Sequence, residues 1–116
     1  MSASKRKGTS WESMIVDYAR ANGAPHAERR ALNGAKDRGD IAGIVSVVIE
    51  AKNAAEMRLA AWADETEQER INDGAAIGLT WIKRRGRTSP ADGYVMFRGD
   101  IAWRLLREAG YIPEGL

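Results

Sequence analysis

The chain has 116 residues, with 18 Lys and Arg against 16 Asp and Glu, a formal net charge of +2. That length is one domain, able to bury roughly 60–70% of its unfolded surface without staples. The absence of cysteine excludes a disulfide scaffold and Cys-ligated metal sites, one histidine leaves little for a His-rich site or a Ser–His triad, and no run of about 18 apolar residues exists to span a membrane.

Residues 1–8 (MSASKRKG) read as a short basic arm preceding a single domain over 9–116. They contain no apolar core of a secretory leader, so a cytoplasmic protein is expected. A first helix is predicted over about 10–22, where Trp11, Met14, Ile15, Tyr18 and Ala19 form one stripe. Thr9 can cap it, and Asn22-Gly23 ends it. His26–Leu32 reads as a strand, followed by a loop marked by Asn33-Gly34 and Arg38-Gly39.

Residues 40–52 (DIAGIVSVVIEAK) carry the strongest strand signal, read as strands at about 40–42 and 45–52 around Gly43. A helix follows over 54–73, with Ala55, Leu59, Trp62 and Ala63 as its apolar stripe and its acids turned to solvent. Ala75–Lys83 reads as a strand, RRGRTSPADG as a basic turn, and Tyr94–Arg98 as a fifth strand. Asp100 caps a last helix over Ile101–Ala109, with Ile101, Ala102, Leu105 and Leu106 on one stripe and Gly110 at its end. The expected order is α-β-β-β-α-β-β-α, a mixed α/β fold with a central sheet flanked by helices. Trp62 and Trp81 fall on apolar patterns and belong to the core; Trp103 lies off its helix stripe.

Charge is segregated along this layout. Residues 64–73 hold five acids and one arginine, a net −4, so the remainder carries +6. Lys5, Arg6 and Lys7 form one purely basic cluster; Lys83, Arg84, Arg85 and Arg87 form another. Such a pattern suits a polyanion, with phosphate contacts on either side of the central strands. No aromatic residues interleave with these runs, so no single-strand stacking platform is expected. No phosphate-cradling Gly-rich loop occurs either.

Glu50 and Lys52 break an otherwise apolar strand. Residues two apart in a strand share a face, so both point the same way. Strand-end solubilisation or a cross-strand ion pair is the plain reading. Asp40, however, begins the preceding strand, and a hairpin would carry it beside Glu50. Two converging carboxylates repel unless a cation separates them, and oxygen ligands alone favour Mg²⁺ or Mn²⁺. With Lys52 nearby to stabilise charge or help activate water, Asp, Glu and Lys form a minimal kit for phosphodiester hydrolysis. Glu12 has two readings. It fits a capping box with Thr9, and it also flanks the stripe that faces the sheet.

The opening Arg6-Lys7-Gly8-Thr9, Glu12 in a first helix, an Arg-rich strand, Gly34, Gly39-Asp40-Ile41 and Ile49-Glu50-Ala51-Lys52-Asn53 together resemble the archaeal-type Holliday junction resolvases of the PD-(D/E)xK nuclease superfamily. The resemblance covers residues 6–53; beyond them only the element order agrees. Gly39 stands where the family signature often has proline. Compact Arg- and Ala-rich versions of this kind suggest an actinobacterial or phage member.

The resemblance implies a restriction-endonuclease-like core and a Mg²⁺-dependent endonuclease, with Mn²⁺ substituting and no organic cofactor. Asp40, Glu50 and the Ala51 carbonyl would hold the metal, Glu12 would add a further acid, and Lys52 would be the catalytic lysine. An arginine of the second element would contact the scissile region. Arg29 and Arg30 compete for that role, and Arg30 fits the spacing to Gly34 better. Lys5, Arg6, Lys7, Arg29, Arg38, Lys83, Arg84, Arg85 and Arg87 would contact DNA. The implied substrate is branched double-stranded DNA, a four-way junction cut symmetrically by a homodimer. The alternatives are a flap, nicking or restriction-like nuclease, or a catalytically silent DNA-binding module of the same fold.

Overall fold

Valine and isoleucine dominate residues 47–52, and they form the central strand of the structure, a computed structural model that describes residues 3–31 and 37–113. The elements are α1 (Ala3–Ala21), β1 (Glu28–Arg29), β2 (Ile41–Ala42), β3 (Val47–Lys52), α2 (Leu59–Asp73), β4 (Ile77–Ile82), β5 (Tyr94–Met96) and α3 (Gly99–Glu108). A 3-10 turn, Pro90–Asp92, precedes β5. The five strands form one mixed sheet in the order β1-β2-β3-β4-β5. Only β3 and β4 run parallel. Their crossover is α2, which therefore returns across the strand that precedes it.

Alternation along β3 divides the sheet's two faces. Val47, Ile49 and Ala51 face α1, where Trp11, Ile15, Val16, Ile41 and Ile49 make the core, with Leu79 and Trp81 packed against it. Trp11 Nε1 donates to the Trp81 carbonyl at 3.0 Å, which fixes the middle of α1 over the end of β4. Glu50 and Lys52 lie on the opposite face, beneath α2. There Thr66 and Thr80 share a hydroxyl hydrogen bond of 2.7 Å, a satisfied polar pair inside the layer. Gly78 admits this contact; a Cβ there would stand 3.3 Å from the Thr66 methyl.

Several sequence-based expectations change. The run expected as an arm is helical from Ala3, because Ala, Lys and Arg are good helix formers and nothing before Gly8 breaks the turn. Thr9 consequently lies inside α1, so no capping box starts there. The side chains of Lys5 and Arg6, and the whole of Asn33-Gly34, lie outside the described residues. The strand expected over 26–32 contracts to Glu28–Arg29, and those expected at 45–52, 75–83 and 94–98 begin or end within their predicted spans.

α2 begins at Leu59 rather than 54, and its buried face is Trp62, Thr66 and Glu69. Leu59 is half exposed, so the expected stripe is turned aside. In α3, Arg98 rather than Asp100 occupies the N-cap position. Only Ile101 of its stripe is buried; Leu105 and Leu106 are exposed. Gly110, with φ +88°, follows the helix as expected.

Candidate metal centre

The site begins with a backbone that only glycine fits. Gly39 has φ +93°, and a Cβ there would stand 2.6 Å from Val48 Cγ1 and 3.3 Å from the Ile49 carbonyl. This close approach lets the Asp40 N–H donate to the Ile49 carbonyl at 2.9 Å. The Asp40 carboxylate in turn accepts the Ala51 N–H at 2.8 Å. Asp40 is thus clamped at both ends to the strand that carries Glu50 and Lys52. Its negative charge raises the pKa of two neighbouring acids, Glu50 and Glu12.

Glu50 is 3% exposed, and its Oε1 has no partner among the described residues. Burial, then Asp40, Glu65 and Glu69 around it, holds its carboxyl far above the ordinary carboxylate range. Glu12 is also raised, by burial and then by Asp40. The Arg29 guanidinium, 3.0 Å from Glu12 Oε2, works against that rise.

α2 contributes residues from directly above. Carboxylate oxygens of Asp37, Glu50, Glu65 and Glu69 all lie within 4.8 Å of one another. Glu69 is 2% exposed, and neither of its oxygens has a hydrogen-bond partner among the described residues. Burial, chiefly, pushes its carboxyl up to about 8, with Asp37, Glu65 and Asp40 adding to the rise and contact with Glu50 opposing it.

Lys52 Nζ donates to both Glu65 oxygens, at 3.0 and 3.2 Å, and lies 3.6 Å from Glu50 Oε2. Burial alone would lower its pKa, but the carboxylates of Glu65, Glu50 and Asp40 outweigh that and raise it. Glu65 behaves conversely. Burial favours its neutral form, yet hydrogen bonding with Glu50 and Lys52 holds it below the usual value.

The structure therefore brings Glu12, Asp40, Glu50, Ala51 and Lys52 to one place. Glu12 serves the site side of α1 rather than a cap. Of the two arginines, Arg29 and not the favoured Arg30 meets an acid of the site. Arg30, the residue after β1, pairs instead with Asp73 at 3.1 Å, near Arg38 at 3.8 Å from the same carboxylate.

Sequence reading missed Asp37, Glu65 and Glu69. The acids of 64–73 do not all face solvent, because α2 presents Trp62, Thr66 and Glu69, at i, i+4 and i+7, to the sheet. That spacing was the available signal, obscured by alanines that make a second apolar stripe. A cluster of this composition can bind a metal ion. Its carboxylates are hard oxygen donors crowded far beyond what one lysine neutralises.

The two basic clusters also lie differently from expectation. Instead of flanking the central strands, Lys7 joins Lys83 and Arg85 around a single pocket of about 350 Å³, with Asn53, just past Lys52, on its wall. The cause is the seating of α1 over the end of β4. Arg84 lies over the Tyr94 ring, 5.9 Å from its centroid, and Arg87 approaches Asp92 at 4.0 Å.

No protein-family model, curated protein or solved structure matches the chain.

Proposed function

We propose that the chain is a metal-dependent DNA endonuclease with a restriction-endonuclease-like core, acting on branched DNA in the manner of the archaeal-type Holliday junction resolvases it resembles. The observation that carries this reading is the convergence of Asp40, Glu50 and Lys52, with Glu12, at one end of the β2–β3 pair. These residue types are the minimum for hydrolysing a phosphodiester with a hard cation. Asp40, Glu50 and the Ala51 carbonyl would hold Mg²⁺ or Mn²⁺, which when bound supplies an activated water and charge neutralisation at the phosphoryl oxygen.

The chain's own residues account for the rest. Lys52 is held as an ammonium by its carboxylate neighbours. Its role is therefore to stabilise negative charge that builds on the phosphate, rather than to accept a proton. Arg29 orients Glu12 at the margin of the site. The pocket of Lys7, Lys83 and Arg85 supplies a seat for a backbone phosphate beyond the end of β3. Two symmetric cuts require two sites, so a homodimer is the working form.

Cleavage of a synthetic four-way junction and a matched linear duplex, each with Mg²⁺ or with chelator, tests the reading. Metal-dependent cutting of the junction alone supports it. Equal cutting of both substrates would overturn junction selectivity and leave a general nuclease of the same superfamily. No cutting of either, or a wild-type rate from Asp40→Asn, would overturn the nuclease itself in favour of a silent DNA-binding module.

A further inference from the structure

We infer that Glu50, Glu65, Glu69 and Asp37 hold a second hard divalent cation beside the first, with Glu50 shared between the two. This rests on the metal-dependent reading above and extends it to α2.

Glu69 is the chief witness. It is only 2% exposed and aimed into the cluster, and neither oxygen has a donor among the described residues. Glu50 adds a second buried, unpartnered oxygen, Oε1. Burying a carboxylate without a donor is costly, and protein interiors relieve that cost with a hydrogen bond, a proton or a cation. No amide, hydroxyl or ammonium donor among the described residues reaches Glu69; what touches it is Glu50, another carboxyl of the cluster. Among the described residues, the ammonium beside the cluster is that of Lys52, which gives its two bonds to Glu65 and none to Glu69.

Spacing and chemistry agree with a cation. Oxygens that all lie within 4.8 Å of one another are close enough to share one cation. The donors are all carboxylates, which select hard ions over zinc or copper. Asp37 is fixed in place for such a role. Its Oδ1 accepts the Gly39 N–H at 2.9 Å, and its carbonyl accepts from Asn72 Nδ2 of α2 at 2.9 Å. The first locus, by contrast, draws on Glu12 and Asp40. Glu50 alone belongs to both, and a shared carboxylate is how paired catalytic ions are kept roughly 3.5–4 Å apart.

Counting bound Mn²⁺ by equilibrium dialysis and electron paramagnetic resonance tests this without reference to cleavage. The proteins are wild type, Glu65→Gln, Glu69→Gln and Asp40→Asn, each checked for folding by circular dichroism. Wild type should bind two ions per chain. Glu65→Gln and Glu69→Gln should each weaken the α2-side ion about tenfold or more. Asp40→Asn should weaken the other. If Glu69→Gln does not fold, Glu65→Gln decides, since its side chain is 41% exposed. One ion per chain, unchanged by either α2 substitution, would overturn the inference and mark the cluster as proton-sharing; the nuclease reading would survive. Two ions with the predicted losses but no DNA cleavage would support the inference and overturn the nuclease reading instead.

Discussion

The carboxylate of Asp40 accepts the backbone N–H of Ala51 at 2.8 Å, so the acid at the start of one strand is held by the peptide between the acid and the lysine of the next. The bond needs an oxygen but not a charge. Asp40→Asn keeps an acceptor for Ala51 and removes a negative charge from beside Glu50. It should fold at least as stably as wild type while losing cleavage. Asp40→Ala also loses the acceptor and should be about 1–3 kcal/mol less stable than Asp40→Asn. Urea unfolding of the pair, alongside junction cleavage, separates the structural role from the chemical one.

Lys52→Gln removes an ammonium that is held protonated by Glu65 and Glu50. The expected loss is about 10²–10³-fold in kcat, typical for one donor to a developing anion. The surviving activity should keep the wild-type pH profile. A displaced alkaline limb would instead identify Lys52 as the proton acceptor.

Stability of the metal-free protein should fall as pH rises. Glu50 and Glu69 are both held above the value of 4.5 at which an unperturbed glutamate titrates, Glu69 at about 8. Between those values the folded chain binds more protons than the unfolded one, so unfolding free energy declines with pH. The advantage is complete below about pH 4.5 and is lost for Glu69 as pH passes about 8. Thermal melts at pH 5.5 and 8.5 in chelator should show the lower Tm at pH 8.5. Added Mn²⁺ should raise Tm more at pH 8.5 than at pH 5.5. An unchanged or rising Tm with pH in chelator would contradict the burial of these carboxyls.

Lys83→Ala and Arg85→Ala, made in the Asp40→Asn background, should weaken junction binding without touching ion binding. Each removes one phosphate contact and should reduce the slope of log K against log salt by about 1. Fluorescence anisotropy across a salt series gives the slope. An unchanged slope would remove this pocket from the DNA path.

Backbone geometry is tested by two glycines. A Cβ at Gly43 (φ +93°) would stand 1.9 Å from the His26 carbonyl oxygen, whereas one at Gly74 (φ +67°) would meet nothing within 4 Å. Gly74→Ala carries only the left-handed strain, about 1 kcal/mol. Gly43→Ala must also push the 26–27 and 43 backbones apart and should cost about 3 kcal/mol or more. Similar unfolding midpoints for the two would show that the 26–43 contact is not tight.

What was legible in the sequence was whatever a strand's twofold alternation determines. Glu50 and Lys52 share a face, and a hairpin at Gly43 carries Asp40 to them. The helix contributions were hidden because a helix's rotation is set by its neighbours. Ala60, Ala61 and Ala63 offer no strong apolar direction, so the packing of Thr66 on Thr80 decides which acids point inward. Which of Arg29 and Arg30 meets Glu12 was hidden for a related reason. A two-residue strand has no pattern of its own, and its facing is imposed by pairing with β2.

Apart from Glu12, every acid at the centre lies between Asp37 and Glu69, within one hairpin and the helix that follows it. The hairpin carries Asp40 to Glu50, whereas Glu65 and Glu69 reach them only when α2 docks on the sheet. Docking α2 therefore gathers like charges, a cost that the packing of the core must offset. Protons or divalent ions in the refolding buffer should relieve that repulsion and favour the docked helix.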